Sequence, residues 1–171
     1  MAIIEKFLGR RVTLPDNLRY FVKQGLWARL DDRTIVFGFS EPALTLSGGI
    51  QDLDFLAEDG ETVEQGQSVL FAITGKIIYI DSPVQGIIRF NAEAKTDPAV
   101  INQDSYARGW LFAVTTAVPA ARAYQDLPEC AAYLQSLQSS EGFKNPEGLK
   151  GGVSGICKAV YSEIRKQKIN Q

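Results

Sequence analysis

The chain contains no histidine. That absence removes the usual general base, the Ser-His and Cys-His nucleophile pairs and the commonest metal ligand. Cysteine is scarce too. Only Cys130 and Cys157 occur, far apart and outside any C-x-x-C spacing. Their rarity argues against a zinc site and for a reducing, cytoplasmic setting. Long apolar runs are missing: none approaches the roughly 18 residues of a membrane span. The opening "MAIIEKFLGRRVTLPD" carries charges throughout and does not read as a secretory signal. Nor is there a strong charge of one sign. A formal net charge of −2 gives no general electrostatic reason to bind nucleic acid or a membrane surface. Together these absences count against an enzyme, although carboxylates and lysines remain as groups that can do chemistry.

What is present reads as a folded, strand-rich chain. Its 171 residues suffice for one domain with a real core and an appendage. Residues 1–24 mix a short amphipathic start, Ile3 to Leu8, read as a short N-terminal helix, with a "TLPDN" turn. From 26 to 116 the pattern is strand-like. "LWARL" and "RTIVFGF" flank Asp31-Asp32, a hairpin signal. "GGIQDLDFL" alternates imperfectly. Asp59-Gly60 and Gln65-Gly66 mark tight turns, and "GIIRFN" and "GWLFAVTTA" are further strands. "DPAVINQDSY" reads as a single helical turn with Asp97 as N-cap and Pro98 at its first position. Many short strands with Gly-rich turns predict an all-β barrel or sandwich. Past Val118-Pro119 the period changes. Leu127, Cys130, Ala131, Leu134 and Leu137 are helically spaced, and so are Val153, Ile156, Cys157, Val160, Tyr161 and Ile164. Two helices are therefore expected within 118–171, both cysteines on their apolar faces as buried thiols.

Several segments resemble the H protein of the glycine cleavage system, a lipoyl carrier related to lipoyl and biotinyl domains. "GGIQDLDFLAEDGETVEQGQ" is similar to the family stretch leading into a "GDTVEAGE"-like turn. "SPVQGIIRFN" resembles "APVSGEVVEVN", and "DPAVINQDSYARGWLFAV" resembles "NPELVNEDPYGEGWLFKI". Trp27 sits where the family has the Trp of "HEWV", although Gly25 and Leu26 replace its polar pair. The resemblance covers residues 20–117, with 1–19 as a lead-in and 118–171 as a helical extension. It implies a mainly β barrel-sandwich hybrid and a covalent lipoate on a hairpin lysine. It also implies protein partners: glycine decarboxylase, aminomethyltransferase, dihydrolipoyl dehydrogenase and lipoate ligase.

The hairpin in question is "FAITGKIIYIDSPVQG", with Thr74 and Gly75 at its tip and Lys76 beside them. A carrier lysine must project from a rigid turn, lie open to a modifying enzyme and stand in the register that enzyme reads. In family members of the form "ESVKAVSDIYAP" the lysine lies eight residues before the proline. Eight residues before Pro83 is Gly75. The glutamate that precedes the family lysine is missing as well, its place taken by Ala72 or Ile73. Two readings follow. In one, the turn is a residue shorter and Lys76 bears lipoate, shuttling an aminomethyl group or reducing equivalents. In the other, the attachment lysine is lost, and the chain is an unlipoylated interaction or assembly module. There Gly75 takes positive φ at the tip, and Lys76 begins the return strand as an edge-guarding lysine.

Other features read more plainly. Asn102, Asp104 and Tyr106 are expected to hold the loop before Trp110. Glu58, Asp59, Glu61 and Glu64 form an acidic rim, or a docking patch for a basic partner. "GLKGGVSG" lacks the preceding strand and Gly-Lys-Ser/Thr ending of a phosphate loop and reads as a lead-in to the last helix. Oligomeric state is not legible.

Overall fold

The computed structural model describes residues 1–149. Eleven strands form three sheets. The strands are β1 (Ala2–Phe7), β2 (Arg10–Leu14), β3 (Arg19–Phe21), β4 (Leu26–Asp31), β5 (Thr34–Phe39), β6 (Asp52–Phe55), β7 (Thr62–Val63), β8 (Ser68–Ile73), β9 (Ile77–Asp81), β10 (Gly86–Phe90) and β11 (Trp110–Thr116). A six-stranded sheet runs β3-β4-β5-β11-β10-β7, a three-stranded sheet runs β6-β8-β9, and β1 and β2 pair alone. The helices are α1 (Glu41–Ser47), α2 (Ala92–Thr96), α3 (Ala99–Gln103), α4 (Ala120–Gln125), α5 (Cys130–Ser136) and α6 (Glu141–Lys144). The mainly β layout predicted from the strand spacing is found, as open packed sheets rather than a closed barrel.

The near-continuous apolar runs of β4, β5 and β11 have a physical cause, because along these three strands the six-stranded sheet is largely covered on both faces. Leu26, Ala28, Ile35, Phe37, Phe112 and Val114 face the three-stranded sheet and share a core with Leu53, Leu70, Ala72 and Ile80. The alternate residues Trp27, Val36 and Ala113 face the other way, into a second core with Tyr20, Phe7, Leu14, Cys130, Tyr133 and Leu137. The expected β4–β5 hairpin is present, but Asp31 pairs with Thr34, so its turn is Asp32-Arg33 rather than Asp31-Asp32, with Asp32 at φ 57°.

The opening segment departs from expectation. Ile3–Leu8 is not a helix. Ala2–Phe7 is strand β1, antiparallel to β2 through a turn at Leu8 (φ 52°) and Gly9 (φ 80°). Positive φ at both turn residues matches the twist of a tight hairpin. Burial of Phe7, Val12 and Leu14 against α5 and Tyr20 outweighs the amphipathic helical pattern. The helical piece of residues 1–24 is a single 3-10 turn at Val22–Gln24.

Three further differences are local. Pro98, not Asp97, occupies the N-cap position of α3; Asp97 ends α2, a helix that Asn91 caps by accepting the Glu93 amide. At the C-terminal end, α5 falls where the Leu127–Leu137 spacing puts a helix, and α4 precedes it. The helix expected over 153–164, with Cys157, lies outside the described residues, as does most of "GLKGGVSG".

Candidate functional site

Strands β8 and β9 form the hairpin that carries Thr74, Gly75 and Lys76. Ile73 pairs with Ile77, which leaves those three residues as the connecting loop. Thr74 is 4 % exposed and points inward. Its amide donates to the Lys76 carbonyl at 2.8 Å. Its hydroxyl bonds the same carbonyl at 3.2 Å and accepts the Lys76 amide at 3.2 Å. Both backbone polar groups of Lys76 are thus spent on Thr74. That is why Lys76 stays in the loop and the return strand begins at Ile77, one residue later than a Thr-Gly tip implies. Gly75 is not among the residues of positive φ, so the glycine is not there to relieve strain. Gly75 and Lys76 are both exposed. A Cβ built on Gly75 meets no heavy atom within 4 Å, so the space around the tip is open.

The hairpin base is tied on both flanks. On the β6 side, the Gln51 amide donates to the Ile73 carbonyl at 2.8 Å. Past β9, the Gln24 carboxamide donates to the Tyr79 carbonyl at 3.0 Å and accepts the Asp81 amide at 2.8 Å. One side chain thereby closes part of an open sheet edge, a task a sequence reading assigns to lysine. The inner face of the hairpin buries Leu70, Ala72 and Ile80 in the first core. Below it, the "SPVQG" turn is held by the buried Ser82, whose hydroxyl donates to the Val84 carbonyl at 2.6 Å. Gly86 follows at φ 157°, where a Cβ would stand 2.2 Å from the Thr115 carbonyl oxygen. Gly60 and Gly66 hold their turns at φ 91° and 87°.

The loop before Trp110 serves more than itself. Asp104 accepts the Arg108 amide at 3.2 Å, within the loop. Asn102 instead exchanges two bonds of 2.8 Å with the backbone of Ile50, fixing the approach to β6. The Tyr106 hydroxyl donates to the Thr13 carbonyl at 2.5 Å and accepts the Glu41 amide at 3.0 Å. Trp27, fully buried, donates its indole N–H to the Ser105 carbonyl at 2.8 Å. Of the acidic rim, Asp59 has an internal partner, the Phe90 amide at 2.8 Å, while Glu58, Glu61 and Glu64 are exposed. Cys130 is buried, and burial pushes its thiol pKa up. Helix α1, like α2, is an element the sequence reading missed. Its signals are Ser40, which caps by accepting the Ala43 amide, Pro42 in the first turn and Gly48 at the end. No helix among the described residues is long and apolar enough to cross a membrane.

Comparison with known proteins places this scaffold. The profile of a family described as Glycine cleavage H-protein matches residues 18–140. A probable glycine cleavage system H protein 2 of Saccharolobus solfataricus is 37% identical over 111 residues, covering 62% of this chain and 74% of that protein. A glycine cleavage system H protein of Synechococcus elongatus is 38% identical over 102 residues, 58% of this chain and 78% of its own. The crystal structure of a glycine cleavage system H protein from Mycobacterium marinum superposes with a TM-score of 0.62 at 26% identity, over 72% of this chain and 98% of that one. The chain belongs to the glycine cleavage H-protein family, whose members are carriers rather than enzymes.

Proposed function

We propose that this chain is a lipoyl carrier with Lys76 as its attachment residue. One observation carries the reading: Lys76 is an exposed amine on a three-residue loop that Thr74 pins from below. The loop fits the group it would hold. Among the described residues no heavy atom lies within 4 Å of a Cβ built on Gly75, and the hairpin base is hydrogen-bonded on both flanks. In the attachment step the Lys76 Nζ would attack the carboxyl carbon of lipoate activated as a mixed anhydride with phosphate. A C–N amide bond forms, the C–O bond to the activating group breaks, and the amine proton passes to solvent. When bound, lipoate supplies a disulfide/dithiol pair that accepts an aminomethyl group or two reducing equivalents. The chain's own residues do no chemistry beyond this. Thr74 orients the Lys76 backbone, and the tether raises the arm's effective concentration at each partner's site. By family resemblance the partners are glycine decarboxylase, aminomethyltransferase, dihydrolipoyl dehydrogenase and lipoate ligase, in a cytoplasmic setting.

The test is intact mass after incubation with a lipoate ligase, ATP and lipoic acid. Wild type is expected to gain one lipoyl increment, mapped to the peptide containing Lys76, and Lys76→Arg to gain none. Wild type that stays unmodified overturns the reading. A second reading rests on one specific observation: Gly75, not Lys76, stands eight residues before Pro83. On that reading the domain is an unlipoylated assembly module, and protein from its native cell carries no adduct.

A further inference from the structure

The outer face of the β6-β8-β9 sheet carries four large apolar side chains beside two carboxylates, where a solvated surface is expected to be mostly polar. Cross-strand register sets it out in two rows. Asp52, Ile73 and Ile77 form the row next to the carrier loop; Asp54, Phe71 and Tyr79 form the next. Ile77 and Tyr79 are 58% and 56% exposed. The Phe71 and Tyr79 rings lie 6.1 Å apart. Ile77 directly follows Lys76, so the patch begins at the carrier loop. Ile77 and Tyr79 stand open, while Phe71 and Ile73 are half-buried. The opposite face of the same sheet is buried in the first core, so only this side is open to a protein reaching for Lys76. The edge beyond β9 is partly closed by Gln24, which disfavours strand addition and leaves the face itself as the contact.

We propose that this face is the docking surface for the enzyme that acylates Lys76, and that it takes a surface of apolar side chains with a basic group at one side. The proposal rests on the lipoyl reading above. Charge decides the orientation. Asp52 is already paired, with Lys95 at 3.3 Å. Asp54 is exposed and forms no ion pair among the described residues; its only bond there is to the adjacent Phe55 amide, at 3.0 Å. A cation on the partner therefore meets Asp54, apolar groups cover Phe71, Ile77 and Tyr79, and the partner's reaction centre lies over Lys76. Aromatic residues at the middle of such a contact carry a disproportionate share of affinity.

Steady-state lipoylation kinetics, with ligase, ATP and lipoic acid saturating and this protein varied, test the assignment. Tyr79→Ser and Ile77→Ser are expected to raise KM about tenfold with kcat nearly unchanged. Asp54→Lys, an exposed charge reversal, is expected to raise KM several-fold and flatten its salt dependence. Ile87→Ser, which alters an exposed apolar residue on β10, is expected to leave KM at the wild-type value. Modification of wild type with equal KM in all four variants overturns the docking face and leaves the lipoyl reading standing. Wild type that accepts no lipoate overturns both. A wild-type dimer that Tyr79→Ser dissociates gives the face to a second copy of this chain and overturns the enzyme as its occupant. Asp54→Lys keeps the test decisive if either serine variant folds poorly.

Discussion

Thr74 and Lys76 hold each other by bonds of 2.8, 3.2 and 3.2 Å, in which the buried threonine satisfies both backbone groups of the exposed lysine. The side chain that reaches solvent has no partner among the described residues, and the backbone beneath it is fixed. Thr74→Val keeps the shape and removes the hydroxyl, so the Lys76 amide loses its acceptor. A loss of about 1 kcal/mol is expected from urea unfolding. The Lys76 amide should also exchange with solvent faster than in wild type, while amides in β4 and β5 stay protected.

Gly75 tests how far position on this loop matters. Its Cβ direction is empty and its backbone needs no positive φ, so Gly75→Lys should shift stability by less than about 0.5 kcal/mol. Peptide mapping of Gly75→Lys after ligase treatment then compares two lysines on one tip. With Thr74 fixing the Lys76 backbone, the adduct is expected on Lys76 in wild type. In the double variant Gly75→Lys/Lys76→Ala it should move to residue 75.

Two close approaches make strong stability predictions. Ala at Gly86 would place a Cβ against the Thr115 backbone, where no side chain can give way. Ala at Gly142 would place one within 1.8 Å of the fully buried Phe7 ring. Each should cost about 3 kcal/mol, read as a lowered denaturant midpoint at unchanged m value. Gly86→Ala acts on the six-stranded sheet below the hairpin. Gly142→Ala parts α6 from the β1–β2 hairpin.

Much of this architecture is legible in the residues, and the misses have physical causes. The β4–β5 hairpin, one residue off its expected turn, and the Gly60 and Gly66 turns follow from local chemistry, and the structure has them. The double-sided burial of β4, β5 and β11 shows as near-continuous apolar runs. Ile3–Leu8 misleads because a strand with Ile4 and Phe7 inward also fits a helical stripe over so short a span; tertiary burial decides it. Helix α1 is hidden between strands but announced by Ser40, Pro42 and Gly48. The carrier loop is only half legible. Its place between two strands is readable, whereas the turn type depends on a threonine side chain bonding two residues on. The outer face is legible only once register is known, because Asp52 and Asp54 lie far in sequence from the residues they pair with on β8.

The last prediction concerns pH and the second core. Burial raises the pKa of Tyr20 and Tyr106, and raises that of Tyr133 to about 12. Above pH 10 the unfolded chain gives up tyrosine protons that the folded chain keeps. The unfolded state then binds fewer protons, so stability falls as pH rises. The Tyr133 contribution is whole below pH 10 and lost as pH climbs toward about 12. At neutral pH Tyr133→Phe removes its 2.7 Å bond to the buried Ser40 and should cost about 1 kcal/mol. The variant has no proton to lose at that position. Wild type, by contrast, gives up on the order of 1.4 kcal/mol per pH unit through the window. The two stability curves should therefore converge near pH 11, measured by denaturant titration at each pH. Curves that stay parallel from pH 8 to 11 would mean that Tyr133 titrates as freely folded as unfolded, and that α5 does not seal the second core.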